Sequence, residues 1–274
     1  MASLATSDKK DNDDTKKDNA FTSAFNYKRL LRDVKNIYKD PLTEHNIHYY
    51  HNDENCKEGY ALIIGPEDTI YRHGFYFFKL CFPDDYPFSP PKVEFLTQGS
   101  NIRFNPNLYR NGKVCLSILN TWKGEQWTSC QSIKSVLLTI SMHCFTNTPL
   151  LNEPGVTKKH KDYKVYNDII EYGNYNIAIR RCLIKKGFFG PHDKHKWNLF
   201  EPHIIRYIID NKDKIINDFK EIIAEKNKNE EIKHTEDGKI EISKKKWCGI
   251  YSMKIEFDYQ STLSGLINLL SKYK

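Results

Sequence analysis

From residue 25 to Pro41 the apolar positions Leu30, Leu31, Val34, Ile37 and Tyr38 fall three and four apart, and the proline ends the run. That spacing predicts an amphipathic helix. Its other face carries Lys28, Arg29, Arg32 and Lys35, which on pattern alone is a solvated surface. The pattern then changes. YALIIGPEDTIY runs into a turn at Gly65–Pro66, and GFYFFKLCF is an aromatic, β-rich run; both predict strands. Prolines at 83, 87, 90 and 91 exclude a helix in FPDDYPFSPPKVEFLT until KVEFLT resumes the strand pattern. Residues 60–97 therefore read as an antiparallel meander with a rigid, proline-fixed loop.

Past the loop, SIKSVLLTISMHCF places apolar residues at 133, 136, 137, 140 and 144, a helix with a largely buried face. Beyond Gly155 the chain turns to Lys, Asn, Ile and Tyr, and residues 160–185 fit a helix. PHIIRYIIDNKDKIINDFKEIIAEK predicts another, with Ile204, Ile208, Ile215, Phe219, Ile222 and Ile223 on one broad stripe. Lys226–Lys233 reads as a polar linker, and Glu236–Asp237–Gly238 as a turn ahead of the strand KIEIS. A last helix is expected from Leu263, Leu266, Ile267 and Leu270. No repeat of solenoid period is visible. Residues 1–20 have no apolar stretch and are expected to be a solvated, disordered tail.

Composition narrows the class. The 274 residues are 39% hydrophobic and 13% aromatic, enough for a folded core. The net charge of +7 belongs wholly to residues 156–274, because residues 1–155 balance 18 basic against 18 acidic side chains. Basic charge diluted over a Lys-rich second half argues against nucleic acid as partner. No run approaches the roughly 18 apolar residues of a membrane span, so no membrane partner is expected. Seven cysteines, with no C-x-x-C pair, argue against a disulfide framework and a zinc site. They predict a reducing compartment, the cytoplasm with or without the nucleus. His45, His48 and His51 are three apart, but their turn-like surroundings align no metal site.

Candidate chemistry centres on NPNLYRNGKVCLSIL, residues 105–119. Cys115 follows a loop rich in Asn, Pro and Gly, and Asn107 lies eight residues before it. A thiol used for acyl transfer needs room for attack and a donor near the developing oxyanion. The Asn107 carboxamide is an uncharged donor suited to that role. Equally, Asn is a common turn residue and a cysteine in such a chain is most often a small buried hydrophobe. Both readings stand on the residues alone.

Five ordered elements resemble the ubiquitin-conjugating enzymes. They are GPEDTIYRHG at 65–74, FPDDYPFSPPKVEF at 82–95, NPN at 105–107, GKVCLSIL at 112–119, and Trp127. Two departures stand out: the family's His-Pro-Asn triplet begins here with Asn105, and TWKGEQW carries four extra residues between Cys115 and Trp127. Together with RFNPN, NEPG at 152–155 and FDYQS at 257–261, these are similar to the Z-type branch, which has a C-terminal extension.

The resemblance implies an α+β fold: a four-stranded antiparallel sheet flanked by helices over about 21–155. Residues 156–274 would add the remaining core helices and a mainly helical extension with a short hairpin. It implies that Cys115 accepts ubiquitin or a ubiquitin-like protein as a thioester from an activating enzyme. A substrate lysine or a ligase then receives it, without metal or cofactor. Asn107 would stabilise the oxyanion or hold the loop, and Glu153 would deprotonate or orient the lysine. Lys28, Arg29, Arg32 and Lys35 become an activating-enzyme surface, and Phe88, Ser129 and Cys130 a ligase surface. Two rivals remain: a catalytically weak binding module of the same fold, and a cysteine hydrolase using His143 or His160 as base.

Overall fold

The computed structural model describes residues 27–228, 232–234, 240–242 and 245–273. The expected N-terminal tail and the Glu236–Asp237–Gly238 turn lie outside them. Helix α1 occupies 27–39 and buries Leu30, Val34 and Ile37, as its spacing requires. Four strands follow: β1 (Ile47–His51), β2 (Glu58–Ile64), β3 (Phe75–Cys81) and β4 (Lys92–Phe95). They pair antiparallel in the order β1-β2-β3-β4, with Tyr50 opposite Tyr60 and Leu62 opposite Phe77. β1 falls in the stretch around the three histidines that reads as turn-like; Ile47 and Tyr49 alternate inward there as a strand demands.

Alternation sorts the sheet into two faces. Tyr49, Ala61, Ile63, Tyr76, Phe78 and Phe95 point one way, toward α1 and helix α2 (Ile133–Cys144). Tyr38 of α1 tilts against Tyr49 at 6.4 Å between ring centroids, and Phe145, which ends α2, stacks on Tyr76 at 4.5 Å. α2 starts at a capping box in which Ser132 and Ser135 bond each other's backbone N–H.

The other face is equally apolar and equally covered. A helical run begins with α3 (Tyr163–Gly173), passes through a π-helical stretch (Asn174–Arg181) and ends in α4 (Cys182–Lys185). Phe189 and the 32-residue helix α5 (Trp197–Lys228) then cross the sheet. Phe200 meets Tyr50 and Phe77 edge-on at 5.2 and 5.6 Å, and Phe189 meets Tyr60 at 5.9 Å. α5 starts five residues earlier than its Ile stripe suggests, because Trp197 and Phe200 are themselves core residues. Pro202 is accommodated inside it. Polar clamps fix the helix: His73 Nε2 and Arg72 Nε both reach Asp218, at 3.0 and 3.1 Å. Both faces are thus buried by one contiguous core.

The extension continues through β5 (Ile232–His234) and β6 (Ile240–Ile242), then β7 (Lys245–Cys248) and β8 (Met253–Glu256), and ends in α6 (Tyr259–Leu270). Where one hairpin is expected, two two-stranded sheets are present, β5–β6 and β7–β8.

Candidate active site

Cys115 closes a short loop whose backbone folds back on itself. Tyr109 N–H donates to Lys113 O at 2.9 Å, and Gly112 N–H to Tyr109 O at 3.0 Å. Gly112 has φ +86°, and a Cβ there would sit 2.8 Å from Glu94 Cγ, so the turn needs a glycine. Cys115 and Asn107 are clasped by two reciprocal bonds. Cys115 N–H donates to Asn107 O at 2.9 Å, and Asn107 Nδ2 donates to Cys115 O at 2.6 Å. Thr121 steadies the far side: its Oγ1 accepts from Leu116 N–H at 2.9 Å and donates to Val114 O at 3.0 Å. Nothing in the sequence pattern singled out Thr121.

Asn105, where the family triplet has His, is the hub of this loop. Its Oδ1 accepts from Asn107 N–H at 2.8 Å and from Asn152 Nδ2 at 3.3 Å. Its Nδ2 donates to the Cys144 carbonyl, which closes α2, at 2.8 Å. The departure from the family pattern therefore keeps a donor and an acceptor in one side chain. Asn107 Nδ2 has two N–H bonds, one committed to Cys115 O, while its buried Oδ1 has no partner among the described residues.

One expectation needs correction. A thiol used for transfer is expected to be open, yet Cys115 is only 2% exposed. It is not part of the contiguous apolar core, although its neighbours Val114 and Leu116 are. A groove of about 580 Å³ runs beside it, lined by Pro90, Pro91, Val93, Val114, Leu119 and Thr121 among others. A carbonyl carbon must come within roughly 3–3.5 Å of the sulfur, so the surroundings of Cys115 must part for acyl transfer.

Glu153 stands one residue past a 3-10 turn, Pro149–Asn152, whose Asn152 bonds Asn105. Its carboxylate accepts from the hydroxyl of Tyr251, far along the extension. The hydrolase rival gains nothing here. His143 is exposed, His160 Nδ1 accepts from Asp162 N–H at 3.2 Å, and among the described residues neither hydrogen-bonds the Cys115 thiol.

The proposed docking residues separate into two sorts. Lys28, Arg32 and Lys35 are exposed on α1. Arg29 is a strut: its side chain is 14% exposed, pairs with Asp33 at 3.1 Å, and donates to Ser129 O at 2.6 Å and Gln131 O at 2.8 Å. Asp33 also accepts from Tyr86 OH at 2.7 Å, and burial together with that carboxylate pushes the Tyr86 phenol far up. Trp127 Nε1 donates to Pro87 O at 2.7 Å. These bonds place Phe88, 61% exposed, next to the loop that presents Ser129 and Cys130, both exposed. The three histidines are not brought together: His48 stacks on His203, while His51 bonds Tyr49 OH and Cys56 O. Among the described residues no cluster could hold a metal, and no helix is long and apolar enough to cross a membrane.

The family model described as ubiquitin-conjugating enzyme matches residues 29–172, a span that includes Asn105, Asn107, Cys115 and Glu153. The chain belongs to the ubiquitin-conjugating enzyme family. It is 42% identical over 158 residues to ubiquitin-conjugating enzyme E2 Z of Xenopus tropicalis, covering 57% of this chain and 50% of that protein. To the Homo sapiens protein of the same name it is 44% identical over 162 residues, 58% of this chain and 44% of that one. The human dual E2 ubiquitin-conjugating enzyme/E3 ubiquitin-protein ligase BIRC6 is 43% identical over 131 residues, 46% of this chain and 3% of its own length. The chain spans about half the length of the E2 Z relatives it matches. Beyond the matched span of this ubiquitin-conjugating enzyme lie the π-helical stretch, α4 and α5 that cover the second sheet face.

Proposed function

We propose that this chain carries ubiquitin or a ubiquitin-like protein as a thioester on Cys115, received from an activating enzyme and passed to a substrate lysine or a ligase. The observation that carries this reading is the reciprocal Cys115–Asn107 clasp, set in the loop that matches the family's motif. In the first step the Cys115 thiolate attacks the activating enzyme's thioester and that enzyme's thiol leaves. The energies of the two thioesters are similar, so alignment is the main requirement. The second Asn107 N–H is available to the oxyanion once the loop shifts. Glu153 would accept a proton from an incoming lysine or align it. Lys28, Arg32 and Lys35 would meet the activating enzyme, and Phe88, Ser129 and Cys130 a ligase. No metal or organic cofactor enters, because activation is complete before the modifier arrives. Free thiols throughout suit a reducing compartment, the cytoplasm with or without the nucleus.

The near-complete burial of Cys115 favours the rival, a non-catalytic module of the same fold. One experiment separates them. Protein is mixed with activating enzyme, ATP and ubiquitin or a ubiquitin-like protein, and run on a non-reducing gel. The carrier reading expects an adduct that thiol reductant removes, a reductant-resistant ester with Cys115→Ser, and no adduct with Cys115→Ala. Absence of any adduct across the modifiers, each with its own activating enzyme, selects the binding module.

A further inference from the structure

The second hairpin of the extension is planted on the loops that carry the candidate chemistry. Its turn, Gly249–Tyr251, lies between β7 and β8, and three backbone groups and one side chain at or beside it are held by residues of the core. Ile250 N–H donates to Asp162 Oδ2 at 2.9 Å, Arg110 donates to Tyr251 O, Asn101 Nδ2 donates to Ser252 O at 3.4 Å, and the Met253 sulfur accepts from Arg103 N–H at 3.3 Å. The Tyr251 ring is fixed as well: the Arg103 guanidinium sits 4.4 Å from its centroid, and the Tyr166 ring lies 5.7 Å away. Its hydroxyl ends on Glu153 Oε2.

From the extension a line of hydrogen bonds, with one peptide link between Glu153 and Asn152, then runs to the backbone carbonyl of Cys115. Tyr251 holds Glu153. The preceding residue, Asn152, bonds Asn105 Oδ1 at 3.3 Å, Asn105 orders Asn107 at 2.8 Å, and Asn107 clasps Cys115 at 2.6 Å. Tyr251 occupies one carboxylate oxygen and leaves Oε1 without a partner among the described residues. Burial, and then the Glu153 bond, push the Tyr251 phenol up, so it stays a donor at any working pH. A neutral donor on one oxygen sets the direction of the other without neutralising it.

We infer that Tyr251 is a positioning residue for modifier transfer, which holds Glu153 so that its free oxygen faces the amine attacking the Cys115 thioester. This rests on the carrier reading above and deepens it: the extension, outside the matched family span of 29–172, becomes part of the transfer site. In the step concerned, the amine nitrogen bonds to the carbonyl carbon and the carbon–sulfur bond breaks. Cys115 leaves as thiolate, and the amine's proton passes to Glu153 and on to solvent. Tyr251 makes and breaks no covalent bond.

The test is single-turnover discharge of the isolated thioester-charged protein, comparing wild type, Tyr251→Phe, Glu153→Gln and the double variant. Three acceptors are used: free lysine, free cysteine, and hydroxylamine, which is already unprotonated at neutral pH and needs no base. Tyr251→Phe keeps the ring and its packing, so charging is expected at the wild-type rate. Discharge to lysine is expected to fall about tenfold, as a lower kcat at little-changed KM for lysine, with hydroxylamine discharge unchanged. Because the effect runs through Glu153, the double variant is expected to be no slower than Glu153→Gln alone. Equal loss with hydroxylamine would show a structural lesion and overturn the inference. So would multiplicative losses in the double variant, wild-type lysine discharge in Tyr251→Phe or Glu153→Gln, or a charged wild type that discharges to cysteine but not to lysine. In all of these the carrier reading survives. Failure of the wild type to charge sinks both.

Discussion

At the scale of single residues, Asn105 concentrates the most structure in the fewest atoms. Three hydrogen bonds tie the loop before Cys115 to the end of α2 and to the turn before Glu153. Asn105→Ala would leave the Asn107 N–H and the Cys144 carbonyl buried without partners. Each such group costs about 1–3 kcal/mol, so unfolding free energy should fall by about 2–6 kcal/mol, measured by urea titration, and charging should slow with it. Asn105→His is the informative companion. An imidazole offers one acceptor and one donor nitrogen, enough to serve Asn107 N–H and Cys144 O together. It should recover most of both losses. If His proves as damaging as Ala, the reading of Asn105 as a loop hub is wrong.

At the scale of elements, the joint between α5 and the sheet is built from aromatic rings and titrating ones. His48 on β1 stacks on His203 of α5 at 4.0 Å, and Tyr50 OH bonds His203 Nε2 at 2.7 Å. Burial, and then the neighbouring imidazole, push His48 from 6.5 down to about 4. The unfolded chain therefore binds a proton that the folded one refuses in that window. The joint has its full stability above about pH 6.5 and loses it as pH falls toward 4. The imidazole keeps partial solvent contact, so the loss from His48 is about 2 kcal/mol at most. His48→Phe should flatten the acid limb of a stability-against-pH curve from thermal melts. His51, His73 and His203, shifted downward mainly by burial, would leave a residual slope. Phe200→Ala, at the centre of the same joint, should cost about 3–5 kcal/mol in unfolding free energy, read from the urea midpoint.

What could be read in advance followed distance along the chain. The Asn107–Cys115 pair was legible because eight residues and one tight turn connect its members. α1, α2, α5 and α6 were legible because a buried stripe repeats every three or four residues. β1 was not, because its outer positions His48 and Tyr50 are covered by His203 and Phe200, so no clean alternation marks it. The run 74–82 was legible as a strand from its aromatic residues, although Phe189 and Phe200, which cover its second face, lie more than a hundred residues on. Tyr251 and Glu153 are 98 residues apart, and no local pattern could join them.

At the scale of the whole molecule, the order in which the sheet's two coverings are made has a consequence for synthesis. Phe95, which ends β4, precedes Phe200 by 105 residues, and chains grow at about 5–20 residues per second. For roughly 5–21 s a nascent chain owns a complete four-stranded sheet whose aromatic outer side has no α5 to lie under. That interval is a ready target for chaperones, and a ribosome paused within it would hold an aggregation-prone species.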